Sequence, residues 1–448
     1  MTKPRSDYSA SIIDFLNNGV TPFHVQQRVC SMLQSAGGTH LHEADAWNLT
    51  PGALYYIQRN DSSVIAFRCG KRPPAESGFR IVGAHTDSPS LKIKFSARKP
   101  PSARPESHVI PVEVYGAPLL YTWLDRSLGI AGRVMVTLPS GRISSRIVNL
   151  PHAGVVIPSL AIHMDRNVNE AFSPNPHQHL PVLISSSSHN EYKDPRELVR
   201  IAIASALHTA EAPVHAGDVQ EADLFLYDAQ SAEIGGIDDS LLVSGRIDNL
   251  AGCFTTLEAF LSAEPAEYTQ VAVLFDVEEI GSRTAFGADS GYLSGVLQRV
   301  ALVTSGYDSE AWHRSISLSR CVSNDGAHAV HPTRPEKHDA DFSPVLNGGP
   351  IIKLSASYRY ATTAVTAQEF RAICESLEHP YQYLTNRADI PAGSTIGPFT
   401  NAHTQIPTVD VGIPMLAMHS IRETAGIQDI HMLLEVLTRF YSSSVLLS

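Results

Sequence analysis

The spacing of apolar residues predicts alternating helices and strands in the first ninety residues. Helical spacing over residues 9–16 and 25–36 predicts two amphipathic helices. A continuous apolar run over residues 79–84 predicts a buried strand that ends at His85. This part of the chain therefore has the pattern of an α/β domain.

The same rhythm returns after about residue 245. A helix is predicted from Asp248, with apolar residues at helical spacing behind it, and the segment QVAVLFDV predicts a buried strand. The segment RVALVTS, residues 299–305, predicts a further strand. Helices are predicted over residues 367–377 and 427–441.

The intervening residues have a different texture, rich in Pro, Ser and short alternating runs. Residues 133–138 and 142–149 alternate and are joined by Pro-Ser-Gly, which predicts a β-hairpin. Parallel strands joined by helical crossovers need both flanking segments to complete one sheet. We therefore expect an α/β fold with a mixed sheet flanked by helices. Residues 1–95 and 245–448 would form this domain, interrupted by an inserted β-rich domain of residues 96–244.

Composition narrows the class of protein. The chain has 448 residues, of which 43% are hydrophobic and 18% charged, as in folded globular proteins. A formal charge of -11 and the lack of a basic run argue against nucleic acid as a partner.

The cysteines and the N-terminal sequence indicate the cellular compartment in which the protein is expected. Five widely separated cysteines without a CxxC pair indicate neither a disulfide framework nor a thiolate zinc site. The N-terminal sequence lacks the apolar core of a signal peptide, and no run reaches the ~18 apolar residues that span a bilayer. A cytoplasmic protein with no membrane partner is expected.

Several acidic and imidazole side chains follow apolar runs. In GAHTDSPSLKIK, His85 and Asp87 stand at the end of a predicted strand, where α/β sheets open into a ligand crevice. Asp87 could accept a hydrogen bond from the ring of a metal-bound His85 and fix its tautomer. Taken alone, a turn with a capping aspartate explains the motif equally well.

Three further carboxylates stand at similar positions. Asp248 begins a helix, where it could cap the helix or bridge two zinc ions with its two oxygens. In VAVLFDVEEIGS the apolar run meets Glu278 and Glu279. In a two-metal hydrolase one such glutamate can ligate zinc while its neighbour transfers a proton. A solvated pair at a strand end is the alternative.

Two other segments contain possible ligands. SNDGAHAVHP contains Asp325, His328 and His331, and VDVGIPMLAMHS places His419 after an apolar run. Zinc accepts both nitrogen and oxygen ligands. His328 and His331 are left outside the predicted metal set, because such a histidine pair is more often structural.

Together these segments closely resemble the M18 metallopeptidases, the aspartyl aminopeptidases. The resemblance spans most of the chain, from GAHTDSPSLKIK through TWLDRSLGIAGRV, SGRIDNLAGC, FDVEEIGS, NDGAHAVHP, GPIIKL, RYAT and GSTIGP to TVDVGIPMLAMHSIRE. It implies removal of N-terminal Asp or Glu from peptides by water activated at two zinc ions per subunit, one of them exchangeable for another divalent metal.

The resemblance also implies roles for individual residues. Asp248 would bridge the two ions, His85 and Asp325 would complete one of them, and Glu279 with His419 the other. Glu278 would be the general base, and Asp87 would orient His85.

Further roles concern substrate and assembly. His163 in SLAIHMDR would act near the active site of a neighbouring subunit, or serve as a metal ligand; its apolar flanks favour a buried structural histidine when the residues are read alone. Lys353 and Arg359 are candidate cations for the acidic side chain or the substrate backbone. The family assembles as a homododecamer built from dimers, with dimer contacts in the inserted domain.

The sequence departs from the family pattern in three places. GAPLLYTW replaces a more glycine-rich stretch, Thr333 stands where Asn is usual, and KLSASYRYAT lacks the common Asn after Lys353. None of these changes removes a proposed ligand. Two other functions stay open: another two-zinc hydrolase, such as a dipeptidase, carboxypeptidase or deacylase, or a non-catalytic oligomeric peptide-binding scaffold.

Overall fold

The structure, a computed structural model, describes residues 5–95, 107–186, 194–210 and 212–442. By contacts the chain divides into two compact units. One unit, here called the α/β unit, comprises residues 1–88, 232–418 and 423–448; the other, the β-rich unit, comprises residues 89–231 and 419–422. The boundaries predicted from the sequence are 95/96 and 244/245.

The helices and strands of the described residues have the following bounds. The α-helices are α1 (Arg5–Asn18), α2 (Pro22–Ser35), α3 (Pro74–Ser77), α4 (Pro176–His179), α5 (Pro195–Leu207), α6 (Ile247–Ser262), α7 (Tyr292–Thr304), α8 (Glu310–Ser317), α9 (Ala364–Ser376), α10 (Ile396–Thr404) and α11 (Ile427–Ser442). The strands are β1 (Thr39–His40), β2 (Leu54–Arg59), β3 (Ser63–Arg68), β4 (Phe79–His85), β5 (Ser90–Ile93), β6 (Ser107–Ile110), β7 (Val112–Tyr115), β8 (Leu128–Thr137), β9 (Ile143–Val155), β10 (Val182–Ser186), β11 (Val219–Asp228), β12 (Glu233–Gly235), β13 (Leu241–Ser244), β14 (Thr269–Phe275), β15 (Arg320–Asn324), β16 (Ala327–His328), β17 (Ile351–Lys353), β18 (Gln382–Leu384), β19 (Thr408–Gly412), β20 (Pro414–Leu416) and β21 (Glu423–Gly426).

The α/β unit is organised around a nine-stranded mixed sheet. Its strand order is β1-β2-β3-β14-β4-β15-β19-β17-β18, and the central strands β14, β4, β15 and β19 are mutually parallel. Every residue of β4 and β14 is buried, so these strands read as apolar runs rather than alternating ones. The predicted α/β fold with a mixed sheet is confirmed.

Helices cover both faces of this sheet. In β4, Val82 and Ala84 pack into the core that α1, α2, α6, α9 and α11 share, whereas Phe79 and Ile81 pack toward α7, α8 and α10. Successive side chains of a strand point to opposite faces, so one strand contributes to both cores. A second sheet of this unit, β12-β13-β21-β20-β16, has five short strands.

The β-rich unit contains the five-stranded antiparallel sheet β7-β5-β11-β8-β9 and the two-stranded sheet β10-β6. The predicted hairpin is present as β8 and β9, with Thr137 paired to Ile143 across the turn. Its core includes Leu91, Leu224 and Trp123, with α5 contributing Ile203.

One predicted strand is wrong. The strand predicted over residues 299–305 is not formed, because these residues lie almost entirely in α7. The buried residues of this helix repeat at helical spacing: Tyr292, Leu293, Val296, Leu297, Val300 and Ala301. A short apolar run fits both periods, and only the positions before it reveal the helical one.

The sequence indicates neither a disulfide framework nor a membrane-spanning run, and the structure can be compared with both expectations. The five cysteines are free; four are buried and Cys30 is half-buried. Among the helices of the described residues, none has the length and apolar character needed to cross a bilayer.

Candidate active site

Acidic side chains and one histidine meet at the carboxyl ends of the central parallel strands. His85 is the last residue of β4, Asp325 follows β15, and Glu278 and Glu279 lie in a 3-10 turn shortly after β14. Asp248 lies in the first turn of α6. Because parallel strands end at the same edge of a sheet, residues far apart in sequence arrive at one crevice.

The imidazole of His85 is the centre of this cluster. Its Nε2 atom lies 3.3 Å from Asp325 Oδ1, 3.4 Å from Asp248 Oδ1 and 4.0 Å from Glu278 Oε2. The His85 side chain is only 1% exposed. One ring nitrogen cannot donate to three carboxylates at once, so the imidazole alone does not satisfy the carboxylates gathered around it.

The other ring nitrogen of His85 faces Asp87. Nδ1 lies 3.0 Å from the backbone carbonyl of Asp87 and 3.4 Å from its Oδ1 atom. A hydrogen bond from Nδ1–H to that carbonyl leaves the Nε2 lone pair directed at the carboxylates, as metal ligation needs. The backbone of Asp87 is thus the nearer partner of the ring.

The carboxylate of Asp87 has a further contact. Its Oδ1 accepts the backbone N–H of Glu278 and its Oδ2 accepts that of Glu279, each at 3.1 Å. Asp87 is fully buried. It therefore holds the turn that presents both glutamates.

Asp248 is presented by irregular backbone. It and Asn249 have non-helical φ and ψ angles inside α6, and the peptide bond between them is cis. The Asp248 N–H donates to Glu423 Oε2 at 3.0 Å, and its carbonyl accepts from Ser88 Oγ at 2.6 Å. This departs from a simple capping aspartate, because the backbone is turned so that the carboxylate reaches His85.

Burial and like charge perturb the protonation of the cluster. Burial raises the pKa of Glu278 to about 8, with Asp325, Asp87 and Asp248 adding to this and His85 opposing it. Burial, together with Asp248 and Glu278, holds the pKa of Glu279 well above its usual range. Burial by itself lowers the pKa of His85. Hydrogen bonding to Asp248, Asp325 and Asp87 has a larger effect in the opposite direction, so the pKa is raised overall. Carboxylates so crowded away from water are stabilised by bound cations.

The residues present fit a zinc site. His85, Asp248 and Glu279 each offer a ligand atom within 4.8 Å of the others. One imidazole nitrogen with carboxylate oxygens is a donor set that zinc accepts. Among the described residues, this is the single group of three or more His, Cys, Asp or Glu side chains gathered so closely.

The two candidate cations for substrate lie in different surroundings. Lys353 ends β17 and is buried, with Nζ 3.6 Å from Asp325 Oδ2. Burial lowers its pKa, but Asp325, Tyr360, Asp410 and Asp248 more than offset this and raise it. Arg359 is exposed, and its backbone N–H donates to Ser355 Oγ at 3.3 Å.

Two predicted site residues belong to the β-rich unit. His419 has a left-handed φ of 68°, and its Nδ1 lies 3.1 Å from the Ala117 carbonyl of the same unit. His163 lies in an exposed turn. The interpretation of His163 as a buried structural histidine is therefore wrong, because the apolar Leu160 and Ile162 beside it are exposed as well.

His328 and His331, left outside the predicted metal set, are both exposed. The His331 N–H donates to Nε2 of His338 at 3.1 Å within their own loop.

Two buried acids near the site were missed as individual residues. Glu423 is 1% exposed and holds the Asp248 amide, and Asp410 is 0% exposed within β19. Asp410 interrupts the apolar run TVDVG, a signal that could have pointed to it, since unpaired carboxylates are rarely buried.

An α/β sheet whose parallel strands present a histidine and carboxylates suited to zinc defines a metallohydrolase. Comparison with known proteins narrows this class. A family profile described as "Aminopeptidase I zinc metalloprotease (M18)" matches residues 15–441. The chain belongs to this M18 family of zinc metallo-aminopeptidases.

Individual proteins are similar to this chain in sequence and in structure. The chain is 43% identical to a probable M18 family aminopeptidase 2 of Pseudomonas aeruginosa strain UCBPP-PA14, over 99% of this chain and 100% of the relative. It superposes with a TM-score of 0.92 and 34% identity on a protein in a cryo-EM structure of the Ape4 and Nbr1 complex, covering 98% of this chain and 86% of the other. A Saccharomyces cerevisiae mApe1 dodecamer structure matches with a TM-score of 0.81 and 27% identity, over 97% and 96% of the two chains.

Proposed function

We propose that this aminopeptidase removes N-terminal Asp or Glu from peptides with water activated at two zinc ions. The observation that carries the proposal is the Lys353 ammonium 3.6 Å from Asp325, a buried positive group beside the zinc-type cluster. A chain with a net charge of -11 needs such local cations to attract an acidic substrate.

The two-zinc part of the proposal rests on Asp248. Its carboxylate has two oxygens and lies in the same close group as the His85 and Glu279 ligand atoms. We propose that Asp248 bridges, with His85 and Asp325 on one ion and Glu279 on the other. The role of His419 on the second ion stays a prediction from the family resemblance. When bound, zinc polarises the scissile carbonyl and acidifies a water molecule.

Metal content tests this assignment. Asp248→Ala is expected to lose both ions, because it removes the shared ligand. Elemental analysis that still finds two zinc ions per chain would contradict the bridging role. Asp429 is another buried aspartate of the α/β unit, and the control variant Asp429→Ala is expected to retain zinc.

Glu278 is proposed as the general base. Its Oε2 lies 4.0 Å from His85 Nε2, and its backbone amide is held by Asp87. From this position the carboxylate takes a proton from the attacking water and delivers it to the leaving amine. Glu279, the next residue, serves as ligand in the same turn.

The acidic preference is assigned to Lys353 and Arg359 jointly. A buried ammonium is a point charge, whereas the exposed guanidinium of Arg359 can bind a carboxylate with two parallel hydrogen bonds. Comparing Lys353→Met with Arg359→Met on Asp- and Leu-initiated peptides decides between them. The variant that lowers the ratio of Asp to Leu hydrolysis removes the cation that contacts the side chain.

Self-association as a homododecamer built from dimers is proposed for this chain. A dodecamer is named for the Saccharomyces cerevisiae relative. Leu160, Ile162 and Met164, close to His163 in the sequence of the β-rich unit, are exposed, which suits an inter-subunit contact. Light scattering after gel filtration measures the assembly. The cytoplasmic location stays a prediction.

A panel of substrates separates the proposal from its alternatives. N-terminal Asp and Glu peptides should be hydrolysed faster than Leu peptides and N-acetyl amino acids. Preference for the last two would support a different two-zinc hydrolase. Absence of turnover from zinc-loaded protein would support a peptide-binding scaffold.

A further inference from the structure

Three sequence motifs meet at one buried carboxylate that the proposed reaction does not use. Asp410, in β19, is 0% exposed. Its Oδ1 accepts from Thr395 Oγ1 at 2.5 Å, and its Oδ2 accepts the backbone N–H of Ala361 at 2.6 Å. RYAT, GSTIGP and TVDVG are thus joined at this side chain.

Asp410 also bonds through its backbone. Its N–H donates to Thr362 Oγ1 at 2.9 Å. Asp410 therefore holds two consecutive residues, Ala361 and Thr362, of the β17–α9 loop (residues 354–363). The early part of this loop is exposed at Tyr358 and Arg359, whereas Tyr360, Ala361 and Thr362 are buried.

The position of β19 explains why this contact matters for the site. Within the sheet, β19 lies between β15, which leads to Asp325, and β17, which ends at Lys353. The Asp325 N–H donates to the Val411 carbonyl of β19 at 3.0 Å. One strand thus supports the proposed zinc ligand by its backbone and the β17–α9 loop by the Asp410 side chain.

The opposite side of the carboxylate is closed by α10. A Cβ atom added to Gly397 would lie 2.2 Å from Asp410 Oδ2 and 2.3 Å from Oδ1. Thr395, the N-cap of α10, accepts the Gly397 N–H at 3.3 Å while it donates to Asp410. The helix start thus packs directly on the carboxylate, a favourable place for a negative charge.

The loop held by Asp410 carries one side chain, that of Tyr360, that faces the proposed substrate cation. The Tyr360 ring centroid lies 5.5 Å from Lys353 Nζ. Lys353 is in turn attracted by Asp410 as well as by Asp325. A shift of the loop would therefore move Tyr360 and Arg359 relative to Lys353.

We propose that Asp410 is a positioning residue that fixes the β17–α9 loop, and with it Tyr360 and Arg359, in the arrangement that binds peptide. This inference rests on the proposed function, since the loop matters for binding only if Lys353 and Arg359 meet the substrate. In this role Asp410 acts through Ala361 and Thr362 rather than as a metal ligand or a catalytic residue.

Two substitutions test the proposal from opposite sides. Asp410→Asn places an amide nitrogen against one of the donors, and Gly397→Ala pushes on the unchanged carboxylate. In both, KM for an Asp-initiated chromogenic peptide should rise about 10-fold, since small displacements of binding groups are costly. Zinc content should stay as in the wild type and kcat should change less than KM.

Matched controls separate positioning from simple loss of stability. Asp429→Asn alters another fully buried carboxylate, which accepts the backbone amides of Asn347 and Gly349. Gly295→Ala adds a methyl group in α7 where nothing lies within 4 Å. Both controls should leave KM unchanged, even where the melting temperature falls.

Hydrogen exchange of residues 354–363 gives a readout independent of activity. Faster exchange there in Asp410→Asn or Gly397→Ala, but not in the controls, supports the positioning role. If the wild type cleaves no acidic N-terminus, the proposed function is defeated, but the exchange result still supports the positioning role. Unchanged exchange and KM in a folded variant of either kind would overturn the inference. If Asp410→Asn does not fold, Gly397→Ala decides.

Discussion

Asp87 and Glu278 are joined by a hydrogen bond from the Glu278 backbone amide to Asp87 Oδ1, 3.1 Å long. The second oxygen of the same carboxylate accepts the amide of Glu279 at the same distance. A residue expected to orient the His85 ring therefore also holds the turn that carries the proposed base and its neighbouring ligand. The ring itself has a nearer acceptor in the Asp87 carbonyl.

Asp87→Asn tests this arrangement. The amide can still accept one backbone N–H, but its nitrogen must face the other, so the turn should shift. We expect turnover to fall about 10- to 100-fold with a weaker zinc affinity, as when residues supporting metal ligands are changed. Steady-state kinetics and zinc titration measure both effects. Wild-type kinetics in this variant would show that the turn holds without Asp87.

Glu278→Gln should nearly abolish turnover while zinc and assembly are kept. The change removes proton transfer but preserves size, so kcat is expected to fall about 10²- to 10⁴-fold. Glu279→Gln is the comparison, because loss of a ligand charge should release zinc as well as activity. Unchanged kcat in Glu278→Gln would exclude this residue as the base.

His163 gives a prediction about neighbouring subunits. His163→Ala should lower activity with zinc content unchanged, since His163 lies in an exposed turn of the β-rich unit. Co-assembly of His163→Ala with Glu278→Gln subunits tests action across a dimer. Random 1:1 pairing of such dimers should restore about a quarter of the sites. A mixture as inactive as its components would place His163 in its own subunit's function.

His24, which lies outside the group of acidic side chains around His85, should make the stability of the folded chain depend on pH. Burial, with Arg246 contributing, lowers the pKa of His24 from 6.5 to about 4. Its Nδ1 lies 2.7 Å from Thr21 Oγ1. Because the folded pKa is the lower one, the unfolded chain binds the proton first. Stability from this group is present above pH 6.5 and is lost as the pH falls toward 4.

The corresponding measurement is urea unfolding between pH 6.5 and 4. The wild type should lose up to roughly 3 kcal/mol more than His24→Gln across this range. His152→Gln, a change at an exposed histidine of β9, should follow the wild type. Parallel pH curves for the wild type and His24→Gln would show that the pKa of His24 is not lowered in the folded chain.

Helices and strands were predicted correctly from the sequence where the spacing of apolar residues fits only one of the two. β4 and β14 are buried on both faces, so their apolar runs are unambiguous, and the amphipathic α9 and α11 repeat at helical spacing. The α7 segment failed because its second half, read without Leu293 and Val296, suits a strand as well. Read together with those two positions, the segment has the helical spacing that packs it against β14 and its neighbours.

By itself the sequence determined which donors stand at the ends of apolar runs, and thereby the candidates His85, Glu278, Glu279 and His419; Asp325 became a candidate through the family resemblance. Strand ends are local features, so they can be read without the fold. Only the tertiary structure decided how these donors are held: Asp87 on the glutamate turn, Glu423 on the Asp248 amide and Asp410 on the β17–α9 loop. These contacts join residues distant in sequence, and no local pattern encodes which buried acid meets which amide.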